Sequence, residues 1–300
     1  MTPGPTSSGP ASLSGTGVWS APLRYGDPAA AADAAAELEG LGYTALWIPD
    51  VGGDLFPAVA NLLAATTTAT VATGILNLWM HEADETAAQH ASLTEAHGDR
   101  FLVGIGVSHQ PLIDLAEAGR YQKPYSKMVA YLDELDAATP TPLAPSSRVL
   151  AALGPKMLEL AKQRSAGVHP YLVTPEHTAV AREALGADRL VAPEQAVVLS
   201  TDADEARAIG RSHLAMYLGL PNYANNWKRF GFTDADTAHG GSDRLVDALV
   251  AWGDEDAIAA RVAEHRAAGA DHVCVQVLTA DLMGFPLDGW RRLAPALTGS

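Results

Sequence analysis

Four short stretches carry residues able to do chemistry. "RFLVGIGVSHQP" (100–111) runs apolar residues into Gly104 and Gly106, then turns polar at Ser108, His109 and Gln110. An imidazole there can exchange a proton near neutral pH. "TALWIPD" (44–50) ends an apolar run on the carboxylate of Asp50. "LAALGPKMLELAK" (150–162) opens a helix with Gly154, puts Pro155 in its first turn and adds the cation of Lys156. Free backbone N–H groups at such a start favour an anion, usually phosphate, although an ordinary capped helix opens the same way. "VATGILN" (71–77) interrupts an apolar run with Gly74, which reads as a bulge or as tight packing.

Other chemistries find less support. "VGIGVSH" lacks the third glycine and the downstream acid of a dinucleotide fingerprint. Gly104 and Gly106 therefore admit either a neighbouring backbone or a flat ring, and close approach of a ring is the favoured reading. "HEADE" (81–85) has Glu where a zinc helix needs its second His, and His90 and His97 share a helix face, so no metal is expected. Ser108 and His109 are adjacent, with no nucleophile elbow around them. Cys274, the single cysteine, lies in "HVCVQV" and reads as a buried thiol. "YQKPYSKM" (121–128), with Arg120 before it, is the one locally basic, aromatic stretch; a solvated helix start and a cover for a charged ligand tail both fit it.

The elements that must position these groups are legible. Near-continuous apolar runs, the mark of strands covered on both faces, occur at 16–20, 44–50, 70–77, 100–107, 148–153, 167–173, 195–200 and 272–278. Helical stretches separate them. Asp27 with Pro28, and Thr174 with Pro175, mark helix starts, and Asp202 with Glu205 has capping-box spacing. Eight such strands predict a (β/α)8 TIM barrel, with an insertion between strands seven and eight that holds residues 219–241; a doubly wound open sheet is the competing architecture. In a barrel the active site lies at the C-terminal strand ends, where Asp50, His81, His109, Lys156 and His169 all fall.

Residues 1–15 are rich in Pro, Gly and Ser and are expected to form a disordered tail before one barrel domain at 16–300. The net charge of −15 argues against nucleic acid and anionic membranes as partners. No apolar run is long enough to span a membrane, and the chain is expected in the reducing cytoplasm.

Taken in order, "LGYTALWIPD", "VATGILNLW", "RFLVGIGVSHQP", "RYQKPYSKMVAYLDELD", "LAALGPKMLELA", "GVHPYLVTPEHT" and "YLGLPNYANNWKRFGF" resemble the luciferase-like oxidoreductases, particularly the actinobacterial branch that uses coenzyme F420. The resemblance runs from about Thr16 to the C-terminus. It implies a barrel with the tricyclic ring across the strand ends and a homodimer. It maps ring support, often with a non-prolyl cis peptide, onto Thr73, Gly74 and Ile75. A ring or ribityl contact falls on Asp50, the strand-four lining on Gly106, Val107, Ser108 and His109, the phosphate on Leu153, Gly154, Pro155 and Lys156, and a strand-six contact near His169 and Pro170. Sugar-phosphate dehydrogenases of that family carry a His after the strand-two acid, where this chain has Val51. They carry a Glu at the strand-four end, near His109. Their acid–base pair is thus absent, which leaves His109 as the candidate for proton transfer, with Asp50 second. Trp79, His81, Tyr223, Asn225, Trp227 and Phe285 are expected near the substrate, a small organic molecule.

Three readings follow: hydride transfer with coenzyme F420; a reduced-FMN monooxygenase whose pocket residues 219–241 would close; and a non-catalytic flavin-binding protein.

Overall fold

In the computed structural model, residues 13–281 and 283–299 are described; residues 1–12, most of the expected tail, lie outside them. The first strand begins at Gly15. The strands are β1 (Gly15–Trp19), β2 (Ala45–Ile48), β3 (Thr70–Thr73), β4 (Leu76–Asn77), β5 (Phe101–Gly106), β6 (Arg148–Leu150), β7 (Gly167–Val168), β8 (Leu190–Val191), β9 (Glu194–Val198), β10 (Val250–Trp252) and β11 (His272–Val277).

All the pairings are parallel, in the order β10-β9-β11-β1-β2-β3-β5-β6-β7-β8, with β4 on β5. Only Ala192 and Pro193 separate β8, which pairs with β7, from β9, which pairs with β11. The two ends of the order therefore meet in one chain segment, and that segment closes an eight-position TIM barrel. The insertion between positions seven and eight carries helices Ala203–Leu214, Pro221–Arg229 and Asp243–Leu249 and the extra strand β10, which lies on β9. The sequence reading had no strand at β8 or β10.

Helix starts form where the capping chemistry places them. Asp27 accepts the Ala30 N–H at 2.9 Å, and Asp202 accepts from Asp204 and Glu205. The expected second half of a capping box is not made, because Glu205 instead takes the Ser200 hydroxyl at 2.5 Å. Alternation along the strands splits the core. Outward residues such as Val71, Val103 and Val275 pack under the helices. Trp19, Trp47, Ala72, Leu102, Val149, Ala192 and Cys274 fill the barrel interior. A third cluster, with Leu172, Leu214, Tyr223, Trp227 and Leu245, joins the insertion to the strand ends. The barrel closes by contacts very distant in sequence: β1 pairs with β11, Tyr43 donates to the Trp290 carbonyl and Thr16 to the Leu297 carbonyl, both at 2.9 Å. Cys274 is fully buried.

Candidate active site

The run read as one strand at 70–77 is two strands, broken at Gly74 and Ile75, whose peptide bond is cis. Three glycines make this possible. A Cβ on Gly74 would stand 2.6 Å from Trp19 Nε1 and 2.8 Å from His169 Nε2. One on Gly104 would stand 1.9 Å from the Thr73 carbonyl oxygen, and one on Gly106 2.5 Å from the Ile75 side chain. The strand-four glycines thus receive the strand-three bulge, Gly104 by a backbone and Gly106 by a side chain. The reading that a flat ring approaches those two glycines is corrected. Thr73 is buried and donates to the Gly104 carbonyl at 2.8 Å, while Gly74 and Ile75 stay partly exposed at the barrel mouth.

Asp50 has a buried carboxylate. Its Oδ2 accepts from the Asn77 N–H at 3.0 Å and from His81 Nε2 at 2.9 Å, and its Oδ1 accepts from the Gly52 N–H at 3.3 Å. Asp50 and His81, expected as cofactor and substrate groups, are brought onto each other. Asn77 in turn accepts from the Trp79 N–H, and the Trp79 indole donates to the Val107 carbonyl at 2.8 Å. Arg120 donates to the Trp79 carbonyl, Tyr121 lies 5.5 Å from the Trp79 ring, and its hydroxyl donates to the Ser108 carbonyl. The basic stretch therefore buttresses the strand-three and strand-four ends.

Ser108 has φ +53° and turns the chain so that His109 precedes the helix Gln110–Ala116. His109 is partly buried, with Nδ1 unpartnered among the described residues. Burial holds its pKa below the ordinary imidazole value, against the neighbouring Asn222 side chain, which raises it. Rings surround it: Tyr223 at 5.5 Å and Tyr217 at 6.4 Å. Tyr217 continues to Tyr171 at 5.6 Å and His213 at 5.5 Å, and Tyr171 reaches Trp19 at 5.4 Å. The Tyr171 hydroxyl donates to Gln276 Oε1 at 2.7 Å. This aromatic rim, drawn from strand ends one and six and from the insertion, joins His109 to the Gly74 bulge. Of its members, the sequence reading had only His109 and Tyr223.

Two titratable groups lie under the rim. His169 donates its Nδ1–H to the Ala192 carbonyl at 2.8 Å and stacks on Trp47 with centroids 4.1 Å apart. Its Nε2 keeps a lone pair with no partner among the described residues, on the side of Gly74. Burial pushes its pKa down to about 4, so the ring is neutral near pH 7. Glu194, on the inward face of β9, accepts from the Leu172 N–H through Oε2 and leaves Oε1 unpartnered among the described residues. Burial pushes it up to about 8, against the Leu172 hydrogen bond, so it holds its proton near neutrality. The sequence reading missed it because it sits one residue before the apolar run.

At strand end five, the helix Pro155–Arg164 starts at Gly154 with no side-chain cap. Arg229, from the insertion, lies with its guanidinium 3.2 Å from where a Gly154 Cβ would be, and donates to the Leu153 carbonyl at 3.4 Å. His177 also donates to that carbonyl. Neither Lys156 nor Arg229 has an acidic partner among the described residues. An uncapped helix start beside a guanidinium, with Lys156 in its first turn, is a candidate anion site. Arg229 was hidden from the sequence reading by the 74 residues between it and Gly154.

The remaining expected residues lie elsewhere. Trp227 is buried, donating to the Leu172 carbonyl at 3.0 Å, so it supports Tyr223 from behind. Asn225 is exposed, Pro170 is buried beyond His169, and Phe285 lies over Gly26 in a cleft of about 590 Å³ with Val277, Leu287 and Arg291.

Residues 10–272 match the model of the luciferase-like monooxygenase family. No curated protein matches the chain. Among solved structures, an F420-dependent secondary alcohol dehydrogenase in complex with an F420–acetone adduct superposes with a TM-score of 0.73 at 15% identity, over 95% of this chain and 99% of that one. A coenzyme F420-dependent tetrahydromethanopterin reductase from Methanopyrus kandleri gives 0.72 at 18% identity, over 95% and 98%. The oxygenating constituent of 3,6-diketocamphane monooxygenase from Pseudomonas putida, in complex with FMN, gives 0.65 at 14% identity, over 96% and 99%.

Proposed function

Because this chain belongs to the luciferase-like monooxygenase family, we propose that it is an oxidoreductase that uses coenzyme F420 to move a hydride to or from a small organic substrate. The observation that carries the reading is the pairing of an aromatic mouth with an anion site. His109, Tyr223, Tyr217, Tyr171 and Trp19 ring the Gly74–Ile75 bulge, and Gly154, Lys156 and Arg229 lie at the next strand end but one. The residues fit a flat heterocycle with a phosphate tail. Gly74 and Ile75 are partly exposed at the mouth, and the helix start at Gly154 has no side-chain cap and stands beside the Arg229 guanidinium, which has no acidic partner among the described residues. The bound deazaflavin supplies the hydride chemistry.

The chain's own residues supply the rest. Lys156, Arg229 and the helix start hold the phosphate. Ile75, seated on Gly106, backs the ring. Asp50 fixes the Asn77 and His81 turn, and thereby the Trp79 wall. His109 exchanges the proton at its unpartnered Nδ1, and its lowered pKa makes it a base near pH 7. The tyrosine rim limits water around it.

A second reading, a reduced-FMN monooxygenase, is supported by the FMN-bound relative of the same fold. The test is a paired titration of the purified protein with coenzyme F420, followed by its fluorescence, and with FMN. Micromolar binding of F420 with weak FMN binding is expected. Preference for FMN, with substrate-dependent oxygen uptake, would establish the second reading, and binding of neither would remove both.

A further inference from the structure

The helix Pro221–Arg229 bridges the two halves of this site. Near its start, Asn222 lies beside His109 and Tyr223 lies against that ring. At its end, Arg229 reaches Leu153 and Gly154. At about 100° per residue, positions 222, 226 and 229 fall within an arc of roughly 60°, a single stripe. Tyr223 and Trp227 point away from that stripe into the core around Leu172. Asn226 therefore stands midway between His109 and Gly154, on the face that meets both.

Asn226 is 1% exposed, and neither its Oδ1 nor its Nδ2 has a hydrogen-bond partner among the described residues. A buried carboxamide with both ends unpaired is costly, and such a group calls for a cause. A substituent that both donates and accepts satisfies the two ends together. A hydroxyl does so, whereas a phosphate only accepts and would leave Oδ1 unpaired.

We propose that Asn226 is a ligand-binding residue, hydrogen-bonding hydroxyl groups of the polyol chain that joins a ring at His109 to a phosphate at Gly154. This rests on the functional reading above, and it makes the inserted helix a clamp along the cofactor, with ends that treat different groups: Asn226 the polyol, Arg229 the phosphate.

Four ligands separate these roles: coenzyme F420, its phosphate-free deazaflavin core with the polyol intact, FMN and riboflavin. Each is titrated into wild type, Asn226→Leu and Arg229→Gln, and the ligand-free melting temperature of each protein is measured. Asn226→Leu is close in volume and removes the unpaired amide. Its ligand-free melting temperature should be equal to or above that of wild type, while its Kd for every ligand that wild type binds should rise about tenfold. Arg229→Gln, at an exposed position, should weaken only the phosphate-bearing ligands. Asn226→Leu binding within twofold of wild type would overturn the assignment while leaving the functional reading intact. A melting temperature several degrees lower would instead give Asn226 a structural role. Wild type that binds none of the four ligands would overturn the functional reading and the assignment together.

Discussion

Trp19 donates its indole N–H to the Gly74 carbonyl at 2.9 Å, and a methyl group on Gly74 would stand 2.6 Å from that same nitrogen. The bulge at the mouth is thus fitted around a ring that comes from strand end one.

Gly74→Ala must displace Trp19 or His169, and Gly104→Ala must displace the Thr73 backbone. Gly104→Ala should cost more than about 4 kcal/mol or prevent soluble expression, because backbone cannot step aside. Gly74→Ala should cost less and abolish cofactor binding. Gly40→Ala, where nothing lies within 4 Å, should be neutral or stabilising and serves as the control in urea melts and titrations.

Asp50 and His81 form a pair with little exposure, 2.9 Å apart. Asp50→Asn and His81→Ala should each destabilise. In a double-mutant cycle by denaturant unfolding their coupling should be about 1 kcal/mol or more. Additive effects would mean the pair does not hold the turn.

His109→Ala should lower kcat about 100-fold or more, with the cofactor Kd within a few-fold of wild type. The acid limb of kcat/KM should lie below 6.5, since burial holds His109 below that ordinary value. It should vanish in the variant. A wild-type limb at or above 6.5 would assign the proton to another group.

Glu194 makes stability depend on pH. The folded protein keeps its proton up to about 8, while the unfolded chain releases it near the ordinary 4.5. The folded state binds more protons over that window, so this contribution falls as pH rises through it. The buried His169, His177, His213, His265 and His272 act oppositely. Their pKa values, pushed down from 6.5 to about 4 for the first three and about 3 for the last two, add stability as pH rises toward and through 6.5. Stability should therefore peak near pH 7, then decline by less than about 1 kcal/mol toward pH 8. Glu194→Gln should flatten the decline in urea melts, and a decline of equal depth in the variant would place its origin elsewhere.

The barrel was legible because its strands are apolar on both faces and its helices begin at Asp27, Pro175 and Asp202. β10 was hidden because "ALVAWG" continues a helical apolar pattern, and its strand character comes from lying on β9. The places of single candidates were also legible, as at His109 and Gly154, which precede helices at strand ends four and five. Pairings were not. Asp50 with His81, Trp19 with Gly74 and Gly154 with Arg229 join residues that only the closed barrel and its insertion make neighbours. The strand-four glycines were misread for the same reason: sequence shows that something must approach, and only the register shows that it is Thr73 and Ile75.

β1 lies between β2 and β11, and the second of those partners begins at His272. At ribosomal rates of roughly 5–20 residues per second, a nascent chain would hold β1 for about ten to fifty seconds before the strand that covers its other edge exists. During that interval Thr16 and Tyr43 also lack the carbonyls of Leu297 and Trp290. An open, apolar strand edge is the surface on which chains join one another. Yield in a cell should thus depend on chaperone supply during synthesis more steeply than the finished barrel's stability would suggest.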